Sequence, residues 1–192
     1  MFFKQKEGLL KIISLNFLAK IFIFLFLYRH MIHVYTGNGK GKTTAAFGLA
    51  LRALGNGMRV FIVQFMKGGE SGEVKAIKRF ENASVLISGT GRFLPPIKEE
   101  DLEMAREGLK AARDAIKSYD MVILDEINVA VHFGLIEVDE LLDIIRRAEC
   151  EVILTGRYAD RRLIEIADYV TIFQEMKHPY AKGIEARKGI EF

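Results

Sequence analysis

Residues 31–51 read MIHVYTGNGKGKTTAAFGLAL. Residues 32–35 (IHVY) have the composition of a buried strand, 36–41 (TGNGKG) form a glycine-rich turn, and Lys42-Thr43-Thr44 opens an alanine-rich helix. Strand, glycine turn and helix start make up the layout of a phosphate-binding loop. Its small residues let backbone N–H groups curl around an anion, and the helix N-terminus adds partial positive charge. Lys42 supplies a point charge for phosphate and Thr43 a hydroxyl for Mg²⁺. The candidate phosphate contacts are Thr36, Gly37, Asn38, Gly39, Lys40, Gly41, Lys42, Thr43 and Thr44. Gly41-Lys42-Thr43 meets the end of the pattern G-x-x-x-x-G-K-[ST], but Thr36 stands where its first glycine belongs, and Lys40 adds a second cation. The competing reading is a glycine turn that binds nothing. It gives no reason for Gly-Lys-Thr-Thr to sit between an apolar strand and a helix start.

Downstream, apolar runs alternate with helical patterns, which predicts a parallel sheet with crossover helices. The expected helices are 42–54, 73–80, 98–118, 137–148 and 161–167, and the expected strands after the first are 59–65, 85–88, 121–124, 151–155 and 169–173. Gly55-Asn56-Gly57 stops the first helix. In the longest helix Leu102, Ala105, Leu109, Ala112 and Ile116 share one face. The strand at 121–124 (MVIL) ends in Asp125-Glu126, an arrangement like a Walker-B element, whose carboxylates hold Mg²⁺ directly or through water opposite a phosphate loop. The strand at 151–155 ends in Gly156-Arg157, where an arginine reaches a phosphate. His132, between Val131 and Phe133, reads as a packing histidine, and it forms no metal-ligand cluster with His178.

A chain of 192 residues, half of them hydrophobic, suits one domain with a sizeable core and argues against disorder. Its single cysteine, Cys150, rules out a disulfide framework and fits a reducing cytoplasm. Cys150 follows a charged helical run and precedes a strand, so it reads as a packing residue. Lys4, Lys6, Lys11, Lys20 and Arg29 against Glu7 give residues 1–30 a charge of +4, so within the overall +3 the remainder carries −1. The main domain therefore offers no electrostatic case for nucleic acid.

Residues 1–30 form an apolar, basic leader. Its uninterrupted apolar tract, 21–28, is far shorter than the roughly 20 residues of a membrane helix, and no small-residue cleavage site follows it. Three readings stay open: sequence upstream of a true start at Met31, a lid helix over the site or over a partner subunit, and a membrane anchor. The first is preferred, because strand, loop and helix are complete from Met31 and need no leader to fold.

Taken together, the segments TGNGKGKTTAAFG (36–48), VQFMKG (63–68), LDEIN (124–128), LTGR (154–157) and MKHPYAKGIEARKGIEF (176–192) resemble the P-loop type of ATP:corrinoid adenosyltransferase. The resemblance covers 32–192 and includes the threonine at position 36 as the family's own variant. It implies an α/β, P-loop NTPase-like (RecA-type) three-layer fold with a mostly parallel sheet. It implies a reaction in which Co(I) of a reduced corrinoid attacks the 5′ carbon of ATP and tripolyphosphate leaves, with the nucleotide held in the reverse of the usual direction. Lys42 and Arg157 are then the catalytic cations, Thr43, Asp125 and Glu126 the Mg²⁺ ligands, and Phe65, Met66 and Phe93 the candidate corrinoid contacts. A flavin-type reductant system supplying Co(I) and a homodimer are implied as partners. The family is thought to displace the lower cobalt ligand with aromatic residues near the segment GTGRFLPP (89–96). Here that segment offers Phe93, and the chain contains no tryptophan.

Two other classes stay open at this point. One is a small-molecule kinase or ATPase on the same fold; a thymidine-kinase-like version would bring a cysteine zinc site that one cysteine cannot build. The other is a non-catalytic nucleotide-binding regulator. Fold alone does not separate them.

Overall fold

The strands sort by their side chains before they sort by order. Val63 and Phe65, Val122 and Leu124, and Val152 and Leu154 enter one hydrophobic core; their sequence neighbours Val60 and Ile62, Met121 and Ile123, and Ile153 enter another. A strand that buries both alternating faces needs a helical layer on each side, as parallel sheets do. A computed structural model of the chain, which describes residues 30–91 and 96–191, shows that arrangement. The strands are β1 (Ile32–Thr36), β2 (Val60–Phe65), β3 (Ala83–Ser88), β4 (Met121–Asp125), β5 (Glu151–Thr155) and β6 (Tyr169–Ile172). They form one sheet in the order β3-β2-β4-β5-β1-β6, with every pairing parallel.

The helices are α1 (Lys42–Gly55), α2 (Gly72–Ile77), α3 (Glu99–Ala115), α4 (Ile127–His132), α5 (Val138–Ile145) and α6 (Arg161–Ile166). α1 and α2 cover one face through Ala46, Phe47, Ala50, Val74 and Ile77. α3 to α6 cover the other, with Ala105, Leu109, Ala112, Leu141, Ile145 and Leu163 in the core. The expected face of α3 is the buried one, except that Leu102 is only half-buried. Asp101 fixes the start of α3 by accepting the Lys98 N–H at 2.9 Å. The expected α/β three-layer fold is present, and the expected elements end within a few residues of the observed ones.

One helix was not expected. α4 is a single turn and a half, and it starts from Glu126 with φ of 62°, a left-handed residue in place of a polar cap. No cap signal marks it, and six residues are too few for a period to show. The domain from Met31 is one compact unit, Met31–Phe192. The three readings of the leader concern residues 1–30, of which all but His30 lie outside the described residues. Among the described residues no helix is long and apolar enough to cross a membrane.

Because all strands run the same way, their carboxyl ends share one edge of the sheet. β5 lies between β1, which carries the glycine loop, and β4, which carries Asp125. The two are thus two strand spacings apart, about 10 Å, leaving room for a ligand at that edge.

Candidate active site

The glycine loop is anchored from behind. Gly37 sits at φ of 96°, and a Cβ there would meet the Phe173 carbonyl oxygen at 2.5 Å, so only glycine fits. The Gly39 N–H donates to Phe173 O at 2.7 Å, and the Phe173 N–H donates to Thr36 O at 2.7 Å. Thr36 is buried, and its hydroxyl accepts the Ala159 N–H at 3.3 Å. Thr36 thus braces the loop where the general pattern has glycine.

Lys42 does not face solvent, as a residue at a helix start would suggest. It is 8% exposed, and its ammonium donates to Gly37 O at 2.7 Å and Gly39 O at 2.8 Å. Burial and the Arg157 guanidinium lower its pKa; Glu126 and Asp125 oppose the shift. Lys42 is therefore folded over its own loop, with its ammonium held by two loop carbonyls.

Asp125 is fully buried and saturated. Oδ1 accepts the Thr43 hydroxyl at 2.9 Å and the Thr155 hydroxyl at 2.7 Å; Oδ2 accepts Gln64 Nε2 at 3.0 Å and Lys67 Nζ at 2.8 Å. Thr155, on the intervening β5, also accepts the Glu126 N–H at 3.0 Å, so it ties both carboxylate-bearing residues to the sheet. Burial, then the Asp125 charge, raises the Glu126 pKa against the pull of Lys67, Lys42 and Arg157. A carboxyl in that state gains from a bound cation.

A cavity of about 300 Å³ stands over this arrangement. The loop residues 38–44 line it with Glu126, Arg157, His178, Ile190 and Glu191. Sequence reasoning brought Lys42, Lys40, Arg157, Thr43 and Glu126 to one place, and the structure does so too. It missed the C-terminal wall. Lys40 Nζ donates to Glu191 Oε1 at 2.8 Å and Ile190 O at 3.2 Å, and Arg187 and Lys40 together hold the Glu191 pKa at about 2. His178 Nδ1 accepts the Tyr180 N–H at 3.2 Å, which leaves Nε2 as the N–H in the neutral ring, a donor suited to an anion. Asn128, fully buried, donates to Gly156 O at 3.2 Å and so fastens α4 to the turn that carries Arg157. Nothing local in the sequence marks how this wall meets the loop, since Lys40 reaches Glu191 and Asn128 reaches Gly156 across more than twenty residues.

Two expectations need correction. Phe65 is fully buried in the sheet core, and Met66 is 5% exposed, so neither presents a surface to a ligand; β2 is covered on both faces to its last residue. Phe93 lies outside the described residues. His132 does pack, but on the surface: its exposed ring stacks on Tyr158 at 4.3 Å. Cys150 is 1% exposed with its thiol pushed up to about 12 by burial, which suits a packing residue and not a nucleophile.

A family model described as ATP:corrinoid adenosyltransferase BtuR/CobO/CobP matches residues 28–192. The corrinoid adenosyltransferase of Pseudomonas aeruginosa is 41% identical over 158 residues, covering 79% of this chain and 78% of that one. Its namesakes from a Sinorhizobium species and from Escherichia coli K12 are 38% and 36% identical over 160 and 156 residues, covering 79% of this chain and 75% and 80% of theirs. Among solved structures the RadB recombinase aligns over 78% of this chain and 76% of its own, at 13% identity and a TM-score of 0.47, a likeness too slight to carry an argument.

Proposed function

Because the chain belongs to the ATP:corrinoid adenosyltransferase family, we propose that it transfers the 5′-deoxyadenosyl group of ATP to the Co(I) of a reduced corrinoid. Cobalt supplies the electron pair for the new Co–C5′ bond and is formally oxidised to Co(III). The C5′–O bond breaks, and its pair leaves with tripolyphosphate.

The observation that carries this reading is the charge layout of the cavity. Lys40, Lys42 and Arg157 line it with the loop, and its one histidine is held as a donor. Such a site suits a polyanion that departs whole. Nucleophilic power comes from the substrate's metal, so the chain's task is to bind, orient and neutralise. Lys42 would release Gly37 O and Gly39 O to the phosphates, and Arg157 would meet them from the β5 turn.

The residues also fit Mg²⁺. Thr43 and Glu126 offer hard oxygen donors at the cavity, with Asp125 behind Thr43. Among the described residues no group of three or more His, Cys, Asp or Glu could hold a metal alone, so phosphate oxygens would complete the shell, as is usual for this ion. Bound there, Mg²⁺ would neutralise charge on the leaving group. The same reading brings a flavin-type reductant system, a homodimer and a cytoplasmic setting.

The test is product analysis after anaerobic incubation with Co(I) corrinoid and Mg-ATP. The expected products are adenosylcorrinoid and intact tripolyphosphate. ADP and orthophosphate, or a phosphorylated acceptor, without a cobalt–carbon bond would replace this reading with the kinase or ATPase one.

A further inference from the structure

Asp125 is neutralised by a lysine that the loop motif does not contain. Lys67 Nζ donates to Asp125 Oδ2 at 2.8 Å and lies 3.9 Å from Glu73 Oε1. Its side chain is 19% exposed, whereas Asp125 is fully buried. The lysine therefore stands on the boundary between the core carboxylate and solvent. Beyond that boundary it lines a cavity of about 460 Å³ together with Thr43, Thr44, Glu126, Ile190 and Glu191, all of which also line the cavity over the glycine loop. The two spaces thus adjoin along the start of α1.

The backbone is built to aim Lys67 there. Met66, directly before it, has φ of 60°, uncommon for a residue with a Cβ. The turn is clamped: the Met66 N–H donates to Ser88 O at 3.1 Å, and a Cβ on Gly89 would collide with the Met66 backbone. β2 thus ends in a sharp bend that turns residue 67 sideways, across the sheet edge, onto β4.

A permanent counter-charge for Asp125 would be expected from the core. This one comes from the loop 66–71 on a flexible stem, and it is a compact ammonium with three donors, of which one hydrogen bond within the described residues is spent on Asp125. Resting on the proposed adenosyl transfer, we propose that Lys67 is a catalytic residue: it neutralises Asp125 before substrate binds, then turns its ammonium onto the tripolyphosphate as negative charge collects there. Asp125 would keep the Thr43, Thr155 and Gln64 donors when Lys67 turns away, and a cation held near Thr43 would supply the charge that Lys67 withdraws.

Calorimetric titration of inorganic tripolyphosphate in Mg²⁺ tests this without turnover. Lys67→Met, which keeps the stem and removes the charge, should bind at least tenfold more weakly than the unaltered chain and lower kcat for adenosyl transfer by a similar factor or more. Lys67→Arg should recover most of the affinity. Lys78→Ala, which removes an equal charge paired to Glu70 outside both cavities, should stay within twofold. Affinity of Lys67→Met within twofold of the unaltered chain would reduce Lys67 to a structural counter-charge and overturn the proposal. Should that variant not fold, acetylation of Lys67 in the unaltered chain decides: tripolyphosphate with Mg²⁺ should cut its rate at least fivefold, and no change overturns the proposal. If the unaltered chain binds no tripolyphosphate, the adenosyl-transfer reading itself fails, and Lys67 with it.

Discussion

Asp125→Asn isolates the network at the centre of the site, because the swap preserves shape and removes charge. On the Oδ2 side a new NH₂ faces two donors, Gln64 Nε2 and Lys67 Nζ. Gln64 is fully buried, and its Oε1 has no partner, so its amide can flip to accept from the new NH₂. The flip exchanges an unpaired Oε1 for an unpaired Nε2 and a charged acceptor for a neutral partner, a net loss of about 1 kcal/mol. Lys67 is 19% exposed and can retreat to water, which holds its loss to about 1 kcal/mol. Thr43 and Thr155 keep an acceptor at Oδ1, but a neutral one, which costs about 0.5 kcal/mol each. Together these come to about 3 kcal/mol, a large fraction of the roughly 5–15 kcal/mol that holds a domain. For a chain of this size that corresponds to a fall in Tm of about 6–12 °C. Thermal unfolding followed by circular dichroism measures it, and the double variant with Lys67→Met should lose less than the two single variants combined. A loss below about 1 kcal/mol for Asp125→Asn would refute the four-donor arrangement.

Lys42→Ala should abolish measurable ATP binding and, because two loop carbonyls lose their donor, also lower stability by about 1 kcal/mol; calorimetry and urea unfolding separate the two effects. With its pKa raised in the fold, Glu126 takes up a proton above the ordinary carboxylate range, so Mg²⁺-dependent ATP affinity should weaken as pH falls through that raised value, and Glu126→Gln should flatten this acid limb. The same shift makes stability fall as pH rises from the ordinary glutamate value through the raised one, so Glu126→Gln should be neutral or stabilising at pH 7. Gly89→Ala should destabilise by about 2 kcal/mol or more, since backbone and not a movable side chain stands in the way, and denaturant titration reads it directly. A chain cut to Met31–Phe192 should fold and bind ATP; aggregation or loss of corrinoid activity on cutting would make residues 1–30 a working part of the enzyme.

The parts of this site legible in the sequence are those whose chemistry is local. Gly37 to Thr44 declare themselves because the turn, the cation and the helix start are consecutive, and Asp125-Glu126 does so because the apolar strand before it is short and unbroken. Sheet position was legible too, since the adjacent Val122 and Ile123 can both be buried only in a sheet covered on two faces. What was not legible depends on register. Gln64 reaches Asp125 because β2 and β4 place them opposite one another, and Lys67 reaches it through one left-handed residue that no propensity marks at a methionine. Phe65 was expected at the corrinoid on the family resemblance, yet the alternation that buries Val63 buries it as well. Glu191 and His178 return to the loop from the tail, a contact that only the completed fold defines.

The pairing of β1 has a consequence for the order in which the molecule assembles. Both its neighbours come late in the chain: Ile32 pairs with Val152, and His33 with Tyr169, separations of more than 110 residues. During synthesis, at about 5–20 residues per second, the strand that leads into the glycine loop waits unpaired for several seconds or longer. Closure over such distances is also the slow, non-local kind of contact that limits folding rate. β2, β3 and β4 can meanwhile zip together, because their partners lie closer in sequence. Nucleotide should therefore bind no early intermediate, and its stabilising effect should fall on the unfolding rate of the finished sheet and leave the refolding rate nearly untouched.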